Sequence, residues 1–289
     1  MRNEQLPNLF ECCKITKSIR IFPVQKKVCT MPQTVPRLAV IILTKNEEQN
    51  IADCIASASF ADEILVIDSG STDQTQEIAE AHGARVIVHP FGSNGFAGQR
   101  NFALTQTAAD WVFYLDADER LTEETCCSVR AAMSGSVPRA YEVLRQNIVF
   151  GCAMHHGAHQ PDACRRLFPR GSVHWEGRVH ERPETSLETR RLQGMLQHRT
   201  YETWTQYFMK FNRYTSLAAE EAFAKGKRAS CSTVIGHASF AFVHDYILRR
   251  GFLDGFFGFV MSVTAAVYVM TKYLKLMNLE RINYKATSE

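Results

Sequence analysis

From residue 38 onward the apolar positions fall in blocks. LAVIILT (38–44), EILVID (63–68) and ARVIVH (84–89) are short runs without polar alternation, and the stretches between them space their apolar residues at helical intervals. Unbroken apolar strands alternating with helices predict a parallel sheet covered on both faces, because such strands must bury both of their sides. The spacing predicts helices over Glu47–Ser59 and Asp73–His82, a further one near Gly98–Ala108, and an apolar strand in WVFYLDADERL (111–121) that ends abruptly in acids. Past Val137 the chain turns to short strands and loops rich in His, Gly and Arg, running to about His198, which would complete the same α/β domain.

Residues 201–224 carry Trp204, Phe208, Phe211, Leu217 and Ala218 with Lys210, Arg213, Glu220 and Glu221 interleaved, the pattern of an amphipathic helix. A last apolar segment holds 17 uncharged residues from Gly255 to Thr271, with Arg249 and Arg250 before it and Lys272 and Lys275 after it. At about 1.5 Å per residue it reaches about 25 Å, short of the ~30 Å hydrocarbon core of a bilayer. With Phe256, Phe257, Phe259 and Tyr268 suited to a headgroup boundary, the segment is expected to dock on a membrane surface rather than cross it. The first 30 residues show no sustained period and no signal-peptide core, so residues 1–36 are expected to be a disordered extension with Met31 as the functional start. The expected division is therefore 1–36, an α/β domain over 37–198, and a helical, membrane-associating region over 199–289.

Composition narrows the class. With 45% hydrophobic and 22% charged residues in 289, the chain can bury a core and is neither disordered nor a multi-span membrane protein. Nine cysteines without regular spacing fit reduced thiols better than a secreted disulfide framework. A net charge of +3 argues against nucleic acid as a partner, yet it is unevenly spread: +4 over residues 1–30, −6 over 31–198 and +5 over 199–289. An acidic body suits a bound cation and a basic tail an anionic surface, although solvated faces give the same numbers.

Open α/β sheets bind ligands beyond the carboxyl ends of their strands. Those ends read Thr44-Lys45-Asn46-Glu47, Asp68-Ser69-Gly70-Ser71 and Asp116-Ala117-Asp118. Asp116 and Asp118 bring two carboxylates to one mouth of the sheet, a donor set for Mg²⁺ or Mn²⁺ rather than zinc. The alternative is that Asp118 or Glu119 merely precedes the helix after Thr122. Asp68 can hydrogen-bond a ribose hydroxyl or a base edge, and Gly70 with its small neighbours lets a ligand approach the backbone. Asp73 with Gln76, and Asn46 with Gln49, look like helix caps. Cys152, His155, His156, His159 and Cys164 lie close together, but their spacing is not that of a zinc knuckle, and a loop is expected there.

VIILTKNEEQNI, ILVIDSGSTDQT, GFAGQRNFAL and DWVFYLDADERL, in this order, resemble the family 2 glycosyltransferases of GT-A fold over about residues 38–130. PDACRRLFPRG, VHWEGRVHE, KFNRYTSLAAEEAFAKGKR and RRGFLDGFFGFV further resemble the lipopolysaccharide-core β-1,4-glucosyltransferase subgroup, to about residue 278, with one departure: His159 stands where the subgroup shows Trp. The resemblance implies that Thr44, Asn46 and Glu47 line the base pocket, that Asp68 meets base or ribose, and that Arg100 contacts donor phosphate or sugar. Asp116 and Asp118 would serve nucleotide sugar and metal, Asp118 being the better ligand, and Gly70 and Arg166 would join the substrate-binding set. Glu181 is expected to be the base, ahead of Glu176 and then Asp162, with His174 and His180 as residues that could orient it. The implied activity is inverting, metal-dependent transfer of a hexose, glucose favoured, from a nucleoside-diphosphate sugar such as UDP-glucose. The acceptor would be a lipopolysaccharide-core or other lipid-linked glycan on the cytoplasmic face of the cell membrane, where the enzyme sits peripherally. A polyprenyl-phosphate or other envelope-glycan acceptor, or a non-catalytic nucleotide-sugar-binding protein, stay as alternatives, and oligomeric state is left open. A phosphohydrolase is disfavoured because Arg120 stands where its acid pair needs Thr or Val.

Overall fold

The computed structural model describes residues 35–92, 95–177 and 181–288; the expected extension, apart from residues 35 and 36, lies outside them. Strand β1 (Leu38–Thr44) is buried at all seven positions. Its alternate side chains feed two cores, as a strand period of two requires. Leu38, Val40 and Ile42 pack with Ile51 and Ile55 of helix α1 (Ile51–Ser57), while Ile41 and Leu43 pack on the other face. Beside β1 lie β2 (Glu63–Asp68) and then β3 (Arg85–Val88), both parallel, with helix α2 (Thr75–Ala81) between them in sequence. Helix α3 (Gly95–Thr105) leads to β4 (Trp111–Asp116), parallel to β1 on its other side, and contributes Ala97 and Ala103 to the second core. Thr44 lies opposite Asp68 and Leu43 opposite Asp116, so three strands end at one level.

The strand expected over 111–121 breaks in two. β4 stops at Asp116, Ala117 and Asp118 turn, and β5 (Glu119–Leu121) leaves for the far edge of the sheet. Helix α4 (Glu123–Met133) follows at once, capped by Thr122, whose Oγ1 accepts from the Thr125 N–H at 3.3 Å. Residues 137–201 then complete the same sheet with β6 (Ala140–Val149), β7 (Cys152–Ala153), β8 (Asp162–Pro169) and β11 (Thr189–Tyr201), while β9 (His174–Glu176) and β10 (Arg182–Glu184) form a separate ribbon. The order β3-β2-β1-β4-β8-β6-β11-β5, with β7 on β6, gives nine strands among the described residues. β8 runs antiparallel to both of its neighbours, which makes the sheet mixed beyond its parallel first half.

Two helices start later than their apolar spacing suggests. Glu47–Asn50 form a turn closed by the Asn50 N–H on the Glu47 carbonyl at 2.9 Å, and Asp73 takes up the Thr75 N–H at 3.1 Å. Neither Asn46 with Gln49 nor Asp73 with Gln76 caps a helix as expected; Gln76 turns instead to Asp68, at 3.1 Å.

Beyond the sheet, α5 (Trp204–Ala224) opens on a reciprocal cap between Thr203 and Gln206, and α6 (Cys231–Val243) precedes α7 (Gly255–Ser288). The apolar segment expected over 255–271 is thus the first half of one 34-residue helix. Tyr207 of α5 and Met261 of α7 bury themselves against Val149 and Met154, tying both helices to the sheet. Lys275 corrects an expectation. Rather than flanking the apolar run as a free cation, its Nζ donates to the Asn212 carbonyl at 2.9 Å and to Thr215 and Ser216 hydroxyls at 2.8 Å each.

Helix α4 can settle on β11 only because of one glycine. Gly194 has φ +83° at a shift in the β11–β6 register, and a Cβ there would stand 2.4 Å from Thr125 Oγ1 and 2.6 Å from the Thr125 nitrogen. Left-handed backbone strain and a backbone clash act together in Gly194→Ala, which should destabilise the fold by about 2–4 kcal/mol, read as a lowered urea midpoint.

Candidate active site

Three strand ends and the ribbon's approach enclose a cavity of about 360 Å³ lined by Thr44, Glu47, Arg100, Asp116, Asp118, Glu181 and His198 among others. Its floor is a chain of charges in which Arg100, Arg166 and Glu119 are buried and Asp116 is half-buried. Asp116 Oδ1 accepts from Arg100 Nη2 and its Oδ2 from Arg166 Nη2, each at 2.8 Å. Arg166 also reaches Glu119 at 2.5 Å, and Glu119, wholly buried, accepts the Asp116 N–H at 3.0 Å. Burial works against the Asp116 carboxylate, but Arg166 and Arg100 outweigh it and hold its pKa well below the usual carboxylate range. Glu119 has Arg166 in contact, Arg145 at 3.6 Å and two aspartates nearby; burial, joined by Asp116 and Asp118, outweighs the guanidinium groups and raises its pKa. Arg120 steadies the turn above, donating to the Ala117 carbonyl at 2.9 Å and the Asn50 carbonyl at 2.8 Å.

Asp118 faces the other way, into the cavity, with His198 Nε2 at 3.2 Å. The chemistry of that contact follows from the far side of the ring. Asn147 Nδ2 donates to the carbonyls of His159, at 3.1 Å, and Gln160, which leaves Asn147 Oδ1 to face His198 Nδ1 at 2.8 Å. Nδ1 must therefore carry the proton that bonds Asn147. In the neutral ring Nε2 is then a lone pair pointing at a carboxylate oxygen. Two acceptors face each other, an arrangement that calls for a proton or a metal cation between them, with the outer hydrogen bond fixing the imidazole as metal sites require. Among the described residues no further His, Cys, Asp or Glu joins this pair, so a divalent ion held here would keep positions for water and phosphate oxygens.

On the opposite wall, Arg100 lies over the Trp175 ring with 4.6 Å to its centroid, and Glu181 Oε1 is 3.5 Å from its Nη2. Arg100 Nε and Nη1, like Thr44 Oγ1, are buried without a hydrogen-bond partner among the described residues. Donors left open in a cavity wall suit an anionic, oxygen-rich ligand. Asn101 fixes Trp175 through both of its amide groups, at 2.8 and 2.9 Å.

Residues 39–136 match the model of Glycosyl transferase family 2. The chain carries a family 2 glycosyltransferase domain. Over 267 residues it is 27% identical to an uncharacterised glycosyltransferase of Rickettsia prowazekii, covering 86% of this chain and 89% of that one. Over 256 residues it is 29% identical to a lipopolysaccharide core biosynthesis glycosyltransferase of Rhizobium meliloti, covering 83% and 91%. Among solved structures, it is similar to glucosyl-3-phosphoglycerate synthase from Mycobacterium tuberculosis, in complex with Mn²⁺, UDP and phosphoglyceric acid. That likeness has 22% identity and a TM-score of 0.36 over 47% of this chain and 56% of the synthase.

Within this glycosyltransferase the cavity brings together Thr44, Glu47, Arg100, Asp116, Asp118 and Glu181 from the expected set. Burial raises the Glu47 carboxyl, with Asp118 adding to the rise and Asn50 opposing it. Four of the expected residues do not line this cavity. Asp68 is fully buried away from the cavity, and its carboxylate is taken up by the Gly70 N–H at 3.0 Å, the Ser71 N–H at 2.7 Å and Gln76, so it shapes the turn. Gly70 belongs to that turn and lines neither cavity. Arg166 lies under the floor, spent on Asp116 and Glu119. Asn46 opens onto an adjoining polar cavity of about 280 Å³, and its Oδ1 accepts from the Thr72 N–H at 2.8 Å, pinning one loop to the next. Of the rival bases, Glu176 sits exposed on the ribbon and Asp162 is held by Arg145 at 2.9 Å, while His180 lies outside the described residues. His198, Trp175 and Glu119 were not among the expected site residues. Only Glu119 left a trace, as a third acid next to an apolar strand.

Removing Arg166 should leave the wholly buried Glu119 with only Arg145, 3.6 Å away, and Asp116 with Arg100 alone. Arg166→Met is expected to cost about 3–5 kcal/mol of stability in denaturant unfolding, far more than an exposed ion pair would.

Proposed function

We propose that this glycosyltransferase is an inverting, divalent-metal-dependent hexosyltransferase that takes its sugar, glucose favoured, from a nucleoside diphosphate such as UDP. The observation that carries the reading is the Asp118–His198 pair set across one cavity from Arg100 and Glu181. Asp118 and His198 would hold Mg²⁺ or Mn²⁺, which neutralises charge on the departing diphosphate. Asp116 is not needed as a ligand, because both of its oxygens serve the guanidinium groups.

The chain's own groups do the rest. Thr44 and Glu47 offer polar contacts to the nucleoside, and Arg100, stacked on Trp175 and braced by Asp116, presents donors to the diphosphate. Glu181 takes the proton from the acceptor hydroxyl as its oxygen attacks the anomeric carbon from the face opposite the diphosphate, so the new bond forms with inverted configuration. Phe91 and Phe96, packed edge to face at 4.8 Å, border the cavity and limit water there. A lipopolysaccharide-core or other lipid-linked glycan is the acceptor we favour, on the likeness to the Rhizobium meliloti enzyme over 83% of this chain.

Purified protein given Mn²⁺, UDP-glucose and truncated core glycolipid should release UDP and lengthen the glycan, and excess EDTA should stop both. Glu181→Gln should leave UDP affinity within about twofold and lower turnover by about 10²-fold or more. Equal losses of UDP affinity and turnover would assign Glu181 a structural role, and full activity in EDTA would exclude the metal.

A further inference from the structure

Between α6 and α7 the chain makes a compact tip: a turn of π-helix over His244–Leu248, Arg250 in the left-handed region, then a 3₁₀ turn over Gly251–Asp254. Ile247, Leu248, Phe252, Leu253, Phe256 and Phe259 are all exposed there, Leu248 by 63% and Phe256 by 76%. Six large apolar side chains within 13 residues far exceed the scattered exposure that a soluble surface tolerates.

The charges of the tip are sorted. Its two acids point inward: Asp245 is 4% exposed and accepts from Ser262 Oγ at 3.0 Å, and the Asp254 side chain is held by the N–H groups of His155 and His156 at 2.9 and 2.8 Å and by the His156 ring at 2.7 Å. Its two bases, Arg249 and Arg250, are exposed. What the tip shows outward is therefore apolar and positive with no negative charge. At α7's other half Lys275 is bound to Asn212, Thr215 and Ser216, while Lys272 lies over the Tyr273 ring.

We infer that this tip, residues 247–259, inserts into the headgroup boundary of an anionic lipid membrane, with Arg249 and Arg250 on lipid phosphates. A protein partner would gain from acids to match or from polar groups at the rim; a face of apolar side chains ringed by arginine alone matches lipid. The inference stands on this surface and not on the transfer reaction proposed above.

The full chain should float with vesicles of phosphatidylcholine containing 30% phosphatidylglycerol, at about that molar fraction, and bind pure phosphatidylcholine at least tenfold more weakly. Raising the salt to about 0.5 M should release it, as expected for charges screened within a Debye length. Leu253→Asp with Phe256→Asp should abolish flotation while the melting temperature stays put, because both side chains are already in water. Arg249→Ala and Arg250→Ala should each weaken binding about fivefold. Anionic-vesicle binding unchanged in the double-aspartate variant would overturn the inference. So would retention after alkaline carbonate that only detergent reverses, which marks a span, or a dimer that the same variant dissolves with no vesicle binding in the parent.

Discussion

Two carboxylates and two guanidinium groups share the floor of the cavity, and the remainder of the site is arranged around them. Asp116 from β4, Glu119 from β5, Arg166 from β8 and Arg100 from α3 meet with contacts of 2.5 to 2.8 Å. Taking such charges out of water costs several kcal/mol each, recovered only when every one is paired. That requirement aims the Asp116 carboxylate at Arg100 and Arg166. The turn that follows aims Asp118 at His198 instead, so two acids of one short motif take different partners. The network also spans the place where the parallel half of the sheet meets its antiparallel neighbour β8, and so it joins the two halves of the sheet.

The same floor explains how a histidine 80 positions away becomes part of the site. Because Glu119 is held below, β5 starts there and pairs antiparallel with β11, setting His198 opposite Glu119 and giving the Arg199 N–H to the Asp118 carbonyl at 2.9 Å. A three-residue strand thereby fixes the spacing between Asp118 and His198. Nothing local to HRTYETW announces this. Strands 38–44 and 63–68, by contrast, were legible to the residue, since burial on both faces leaves an unbroken apolar run that no helix or loop imitates. The helix starts were not, because their polar residues bond across the loops instead of along the chain. The Asn46 N–H goes to Ser71 Oγ and the Glu47 N–H to Thr75 Oγ1, both at 2.8 Å.

Those cross-loop bonds have a use. Asn46 sits at φ +55°, a conformation that a non-glycine residue keeps only when its surroundings hold it, and here the Ser71 and Thr72 contacts do so. Asp68 gathers the same loop from below. The wall that would face a nucleoside is thus set before any ligand arrives, which lowers the ordering cost of binding. Asp68 and Asn46 look like ligand contacts in the sequence because a residue that builds a binding loop and one that touches the ligand are both polar residues at a strand end.

One loop, residues 154–160, is shared by His198, which faces Asp118, and the tip between α6 and α7. The Gly157 N–H donates to the Arg249 carbonyl at 3.0 Å, the Asp254 carboxylate holds His155 and His156, and Asn147 Nδ2 reaches the His159 carbonyl while its Oδ1 orients His198. Such a chain of bonds does not by itself make a switch, since coupling between sites needs an element with two stable arrangements and the bonds here favour one. What it supplies is orientation. On the proposed docking, a surface resting on the tip would be held at a fixed attitude to Asp118 and Glu181, and for an acceptor confined to that surface this would remove rotational freedom otherwise lost at each encounter.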